Sequence, residues 1–140
     1  MKSIGRPTDG MRTMTTTRKI AAVACLALAS SGLALSAAAA DPEAGGKVFK
    51  IQCSACHGVV EGKKGIGPSL FGVVGQKAGI VPDFHYSAAN KGSGLTWDEA
   101  TLDRYLVNPR AVVPGTTMPY AGLKNDTQRA DLIAYLATVK

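Results

Sequence analysis

Apolar and polar positions fall along this chain in blocks of differing period, and the blocks predict three helices set among loops. Ile20 to Leu35 is an unbroken apolar or small-residue stretch with no charge. Asp41, Pro42 and Glu43 then mark a helix start: an N-cap, proline at the first position and an acid in the first turn. That helix should run to about Cys53. Gly45 and Phe49 share one face of it at i, i+4. Glycine inside a helix costs about 1 kcal/mol, so either another helix crosses closely there or the first turn is simply weak. Thr96, Trp97, Asp98 and Glu99 have the form of a capping box, with threonine as the cap. The helix behind it should end near Asn108, before Pro109, with Leu102, Tyr105 and Leu106 as its apolar stripe. A last helix is predicted from about Thr127 to Val139, capped by Asn125 or Asp126. Its apolar face is Leu132, Tyr135, Leu136 and Val139. Between these elements, Leu70 to Gly75 reads as a short helix or turn and Gly79 to Gly94 as an irregular loop. No strand pattern stands out, so the fold class is all-α.

Composition narrows the chain further. With 140 residues, 16 of them glycine, it has room for one small domain. Lys2, Arg6, Arg12, Arg18 and Lys19 form a basic n-region, Ile20 to Leu35 an h-region, and Ser36 to Ala40 a small-residue cleavage site. The expected organisation is therefore a signal peptide over 1–40, cleaved before Asp41, and a functional domain over 41–140. Cys25 leaves with the leader. The competing reading is an uncleaved anchor over Ile20 to Ala40. Its Ala/Ser-rich composition and the lack of a linker before the first helix argue against that. Removing five basic residues and one acid from 16 and 10 leaves 11 and nine, a net charge of +2. The high isoelectric point of the full chain thus says little about partners, and nucleic-acid binding is not indicated.

The chemistry is concentrated in Cys53, Ser54, Ala55, Cys56 and His57. Two thiols three positions apart can each form a thioether to one edge of a porphyrin, and the next histidine can then meet its iron. This is the attachment pattern of haem c. A redox disulfide would call for a βαβ context, and a zinc site for further Cys or His ligands. After the leader, only His85 is left to supply one. A metal-bound histidine usually gives its second ring N–H to a carbonyl. Pro68, in the Gly-rich loop that follows, offers one, but spacing alone does not select it. An electron carrier needs a second axial ligand. Met118 is the only methionine after the leader, set between Pro114 and Pro119. A Met/His pair would raise the reduction potential.

These motifs together resemble the class I cytochromes c, the mitochondrial-type branch and its soluble bacterial relatives. The resemblance covers nearly all of Asp41 to Lys140. It rests on Cys53 to His57, Gly67-Pro68, Phe84 to Asn90, Leu95 to Trp97, Tyr105 to Pro109, Pro114 to Met118 and Asp131 to Leu136. It implies helices wrapped around one haem c bound covalently through Cys53 and Cys56, with His57 and Met118 on the iron. Pro68 would accept from His57, and Trp97 and Tyr86 would bond the haem propionates. Tyr105 and Asn90 would join a polar network near Met118, and Gly45 and Phe49 would meet Leu132 and Tyr135 where the terminal helices cross. Relatives often carry an arginine where Gln76 stands, and lysines where Gln52, Ala111 and Thr117 stand, while Arg110 and Lys124 remain basic. Tyr120 replaces a phenylalanine at the rim. Ile66, Val112, Val113 and Ala121 are expected to form an apolar docking rim.

The implied function is a soluble, periplasmic, monomeric one-electron carrier without catalytic residues. Its partners would be a cytochrome bc1-type donor and a terminal oxidase or photosynthetic reaction centre. One alternative is the dedicated acceptor of a periplasmic dehydrogenase. Another is a haem peroxidase or gas-binding protein, which would need an open sixth position that Met118 argues against. A sensory module would want a second domain or a long linker, and the sequence shows no sign of one.

Overall fold

The computed structural model describes residues 39–63 and 65–140, so the expected leader and its cleavage site lie largely outside the described residues. In chain order the helices are α1 (Pro42–Gln52), α2 (Ala88–Lys91), α3 (Glu99–Val107), α4 (Pro109–Val112) and α5 (Asp126–Thr138). Among the described residues the only sheet-like pairing is an isolated antiparallel bridge between Lys77 and Thr96.

The crossing of α1 and α5 organises the domain. The Asp41 side chain caps α1 by accepting from the Glu43 N–H at 2.8 Å, and the Asp41 N–H donates to Asp131 Oδ1 on α5 at 2.7 Å. Gly45 faces the same helix so closely that a Cβ there would overlap the Asp131 carbonyl oxygen and stand 2.8 Å from Tyr135 Cβ. This is the packing reason for a glycine that local propensity disfavours. One turn on, the rings of Phe49 and Tyr135 meet at 5.5 Å, and Leu132 beneath them is fully buried.

The cap of α3 differs from expectation. Asp98, not Thr96, is the N-cap, its side chain accepting from the Thr101 N–H at 2.7 Å. Thr96 cannot cap because its backbone is held in the bridge to Lys77. The flanking Trp97 N–H donates to the Gln76 carbonyl at 2.7 Å, and Gly75 N–H to the Trp97 carbonyl at 3.0 Å. The loop from Gly79 to Gly94 is also less irregular than expected, since it contains α2, capped by Ser87. Asn108 ends α3 and, in extended backbone, caps α4 through its side chain at Ala111 N–H, with Pro109 as the first residue of the new turn. Leu70 to Gly75 is a pair of turns. Helix α5 is capped by Asn125, which accepts from Gln128 N–H at 2.9 Å.

One buried cation fixes α5 to the rest. Arg129, 7% exposed, donates Nε to Asp103 Oδ1 of α3 at 2.5 Å, Nη1 to the Leu123 carbonyl at 3.1 Å and Nη2 to Asp126 Oδ1 at 2.9 Å. Leu123 N–H in turn donates to the Leu106 carbonyl at 2.7 Å. The segment after α4 therefore returns to α3 at a fixed point.

Candidate functional site

Cys53 is the C-cap of α1, so the helix delivers the first thiol and the following turn delivers Cys56 and His57. That turn is closed by the His57 N–H to the Cys53 carbonyl at 2.9 Å. The next loop folds back on it: Gly67 N–H donates to the Cys56 carbonyl and Leu70 N–H to the Gly58 carbonyl, both at 2.8 Å. Ser69 Oγ donates to the Val60 carbonyl at 2.8 Å. The result is a seat for the His57 ring. Its Nδ1 lies 2.8 Å from the Pro68 carbonyl, which fixes that nitrogen as the donor and leaves Nε2 free for a metal. Gly67 lies against the ring, where a Cβ would stand 2.7 Å from Nδ1. Burial lowers the His57 pKa, with the Pro68 bond acting in the opposite sense. The imidazole is thereby kept neutral, as a metal ligand must be.

Met118 arrives from the other end of the domain, on the segment between buried Val113 and buried Leu123. Tyr105 on α3 donates its hydroxyl to Met118 Sδ at 3.5 Å and shares a hydrogen bond with Thr116 Oγ1 at 3.5 Å. Thr116 Oγ1 also accepts from the Met118 N–H at 3.3 Å. Burial pushes the Tyr105 phenol up, against the effect of its bond to Thr116, so it remains a protonated donor.

His57 and Met118 line one cavity of about 330 Å³. Cys53, Cys56, Pro68, Tyr86, Asn90, Trp97 and Tyr105 line it too, so the fold brings together all the residues expected to hold the haem. Among the described residues no Lys, Arg, Asp or Glu lines it. Trp97 is buried against Tyr105 at 4.7 Å between ring centroids, and burial raises the Tyr86 phenol pKa, against a bond to the Val81 backbone. Asn90 Oδ1 is buried in the wall with no hydrogen-bond partner. Cys53 and Cys56 are free thiols, and burial, with Cys56 adding to it, pushes the Cys53 pKa up to about 11. A redox Cys-x-x-Cys pair needs the opposite, a lowered pKa. An apolar slot with two free thiols at its edge, an oriented imidazole, a thioether and one unsatisfied acceptor fits a flat, covalently held iron porphyrin.

The comparisons with known proteins agree with that fit. A family model described as Cytochrome c matches residues 42–140. The chain belongs to the cytochrome c family.

As a cytochrome c it carries one haem c, joined through Cys53 and Cys56. It is 62% identical to the cytochrome c2 of Rhodomicrobium vannielii over 102 residues, covering 72% of this chain and 81% of that one. Identity to the cytochrome c2 of Rhodoblastus acidophilus is 52% over 103 residues, covering 73% and 95%. Among solved structures, cytochrome cH from Methylobacterium extorquens matches with a TM-score of 0.66 at 46% identity, over 70% of this chain and 98% of that one. The fold is thus the class I cytochrome c fold, and this cytochrome c is an electron carrier that works with redox partners.

The rim needs one correction. Val113 is 2% exposed and belongs to the core, because the turn after α4 points it inward. Ile66 and Ala121 are on the surface, Ile66 at 77% exposure, and Val112 is half-buried. The structural roles of three residues were not read from the sequence. Gly67 seats the imidazole, Thr116 holds the Met118 backbone, and Tyr120 hydrogen-bonds Gln52 at 3.4 Å. Only Thr116 had a local signal, a hydroxyl two residues before the backbone N–H it accepts from.

Proposed function

We propose that this cytochrome c is exported, loses residues 1–40, and works in the periplasm as a soluble monohaem carrier with His57 and Met118 as the two axial ligands. One observation carries the reading: an oriented imidazole and a thioether held by a phenol line the same uncharged cavity. When bound, the haem supplies a single iron that takes up and releases one electron. The chain's own part is to keep that site closed and unchanging. The Pro68 carbonyl orients His57, Tyr105 and Thr116 orient Met118, and the apolar lining excludes water, so little has to reorganise between oxidation states. No residue is assigned a catalytic role.

The haem carboxylates would be held by neutral donors, among them Trp97, Tyr86, Asn90 and Gln76, since no cation among the described residues lines the cavity. Among the described residues the mouth is similarly uncharged. Gln52, Ile66, Thr117, Pro119 and Tyr120 line the cavity and reach the surface. Docking to a cytochrome bc1-type donor, and to a terminal oxidase, photosynthetic reaction centre or dehydrogenase, would then depend on apolar contact more than on charge steering. Partner reduction rates should change little with ionic strength, and a steep fall with salt would remove this docking mode.

The deciding experiment is an absorption spectrum of the oxidised and reduced protein with and without carbon monoxide. The weak thioether-to-ferric-iron band at the red edge of the visible, with no response to carbon monoxide, is expected. Met118→Ala should keep the haem attached, lose that band and bind carbon monoxide. Carbon monoxide binding by the unaltered protein would instead mean an open iron and a peroxidase or gas-binding role.

A further inference from the structure

The Met118 segment has one tie that reaches across the mouth of the cavity. From Thr117 to Gly122 the described residues show few hydrogen bonds. Met118 bonds within its own loop to Thr116 and to Tyr105 of α3, while Tyr120 reaches Gln52. Gln52 is the last residue of α1, next to Cys53, and the pair is 68 positions apart in sequence. Both side chains line the cavity, Gln52 exposed and Tyr120 half-buried. Among the described residues this is the only hydrogen bond joining the Met118 segment to the cysteine-bearing end of α1.

We propose that the hydrogen bond from the Tyr120 hydroxyl to Gln52 Oε1 is a latch that holds the Met118 segment closed over the cavity mouth, making Tyr120 and Gln52 positioning residues for the iron's second ligand. The proposal rests on Met118 being that ligand. Its physical basis is an asymmetry of support. The Gln52 end is anchored by helix α1 and by the covalent link at Cys53. The Tyr120 end belongs to a stretch with no backbone hydrogen bond between Thr116 N–H and Leu123 N–H among the described residues. A tie between a fixed point and a loosely bonded loop shifts the loop's closed fraction, and a competing iron ligand reads that fraction directly.

The test is an imidazole titration of the haem-loaded protein, followed by loss of the thioether band, beside guanidinium unfolding of the same samples. The variants are Tyr120→Phe, Gln52→Leu and the double substitution. Each single variant should bind imidazole about threefold more tightly, the effect of one exposed hydrogen bond. The double variant should bind no more tightly than either single one, and unfolding midpoints should stay close to the unaltered protein's. Unchanged imidazole affinity in the single variants, or effects that simply multiply in the double, would overturn the latch. If the unaltered protein lacks the thioether band and Met118→Ala binds imidazole no differently from it, the ligand assignment itself fails and the latch fails with it. With the band present and the single variants unchanged, only the latch is lost.

Discussion

The two sides of the haem cavity are built from different materials. The His57 side is made of backbone. Its turn and loop are closed by main-chain bonds of 2.8–2.9 Å from His57, Gly67 and Leu70, and the imidazole itself bonds a main-chain oxygen at 2.8 Å. The Met118 side is made of side chains. Thr116, Tyr105 and Tyr120 hold it at 3.3–3.5 Å. Backbone bonds form with almost any sequence, so the His57 side is vulnerable to steric intrusion. Side-chain bonds vanish with one substitution, so the Met118 side can be loosened in steps. With His57 and Met118 as the axial ligands, a one-electron carrier would gain from this division: one ligand would be permanent, and the other held just firmly enough to be tuned.

The largest effect should come from breaking the stiff side. Gly67→Ala puts a Cβ 2.7 Å from His57 Nδ1, closer than real contacts allow. The ring must turn, and the Pro68 bond is lost with it. Overpacking of this kind costs about 3 kcal/mol. Guanidinium unfolding of the haem-loaded variant should register that loss. An unaltered midpoint would mean that the seat is softer than its main-chain bonds suggest. A smaller effect, about 2 kcal/mol, is expected for Arg129→Ala, which frees the Leu123 carbonyl where the Met118 segment rejoins α3. The figure lies below the usual cost of breaking a buried ion pair because Asp103 and Asp126 are 45% and 89% exposed. If the contrast between the two sides holds, the thioether band should fade in denaturant before the helices melt, and more so in this variant.

Thr116→Val tests the Met118 side alone. It keeps the shape and removes the oxygen that serves both Met118 N–H and Tyr105. About 1 kcal/mol should be lost, seen mainly as easier loss of the thioether band. A drop in the global midpoint equal to the loss in ligand stability would show that the two sides unfold as one unit, and the contrast would disappear.

How far the site could be read from sequence follows the same division. Cys53, Cys56, His57 and Met118 announce themselves because each carries chemistry in its own side chain. Gly45 was legible as a violation, a glycine where a helix wants something else, and the crossing with Asp131 and Tyr135 explains it. Gly67 gave no such signal, because the object it makes room for is brought there by the main-chain bonds of a loop. Arg129 was silent for a similar reason: one of its partners, Asp103, lies 26 positions away. Thr96 misled, since a correct local pattern lost to pairing with Lys77 from a distant turn. Local rules succeeded where the competing contacts were also local, as at Asp41 and Asn125.

Asp98 supplies the finest test, because it supports the Met118 side only indirectly, through the start of the helix that carries Tyr105. Its carboxylate accepts from the Thr101 N–H, and that bond, with help from the Thr101 side chain, holds its pKa below the ordinary value of 3.8. A carboxylate with a depressed folded-state pKa contributes its full stabilisation above the unfolded value. The contribution is lost as the pH falls through the lower, folded value. The cap should therefore be intact at neutral pH and weaken only below about 3.8. Asp98→Asn replaces it with a cap of similar quality that does not titrate. Stability at pH 7 should be unchanged, and acid should remove the thioether band from the variant less steeply than from the unaltered protein. Identical acid titrations would place the acid sensitivity of the Met118 side elsewhere than at the first turn of α3.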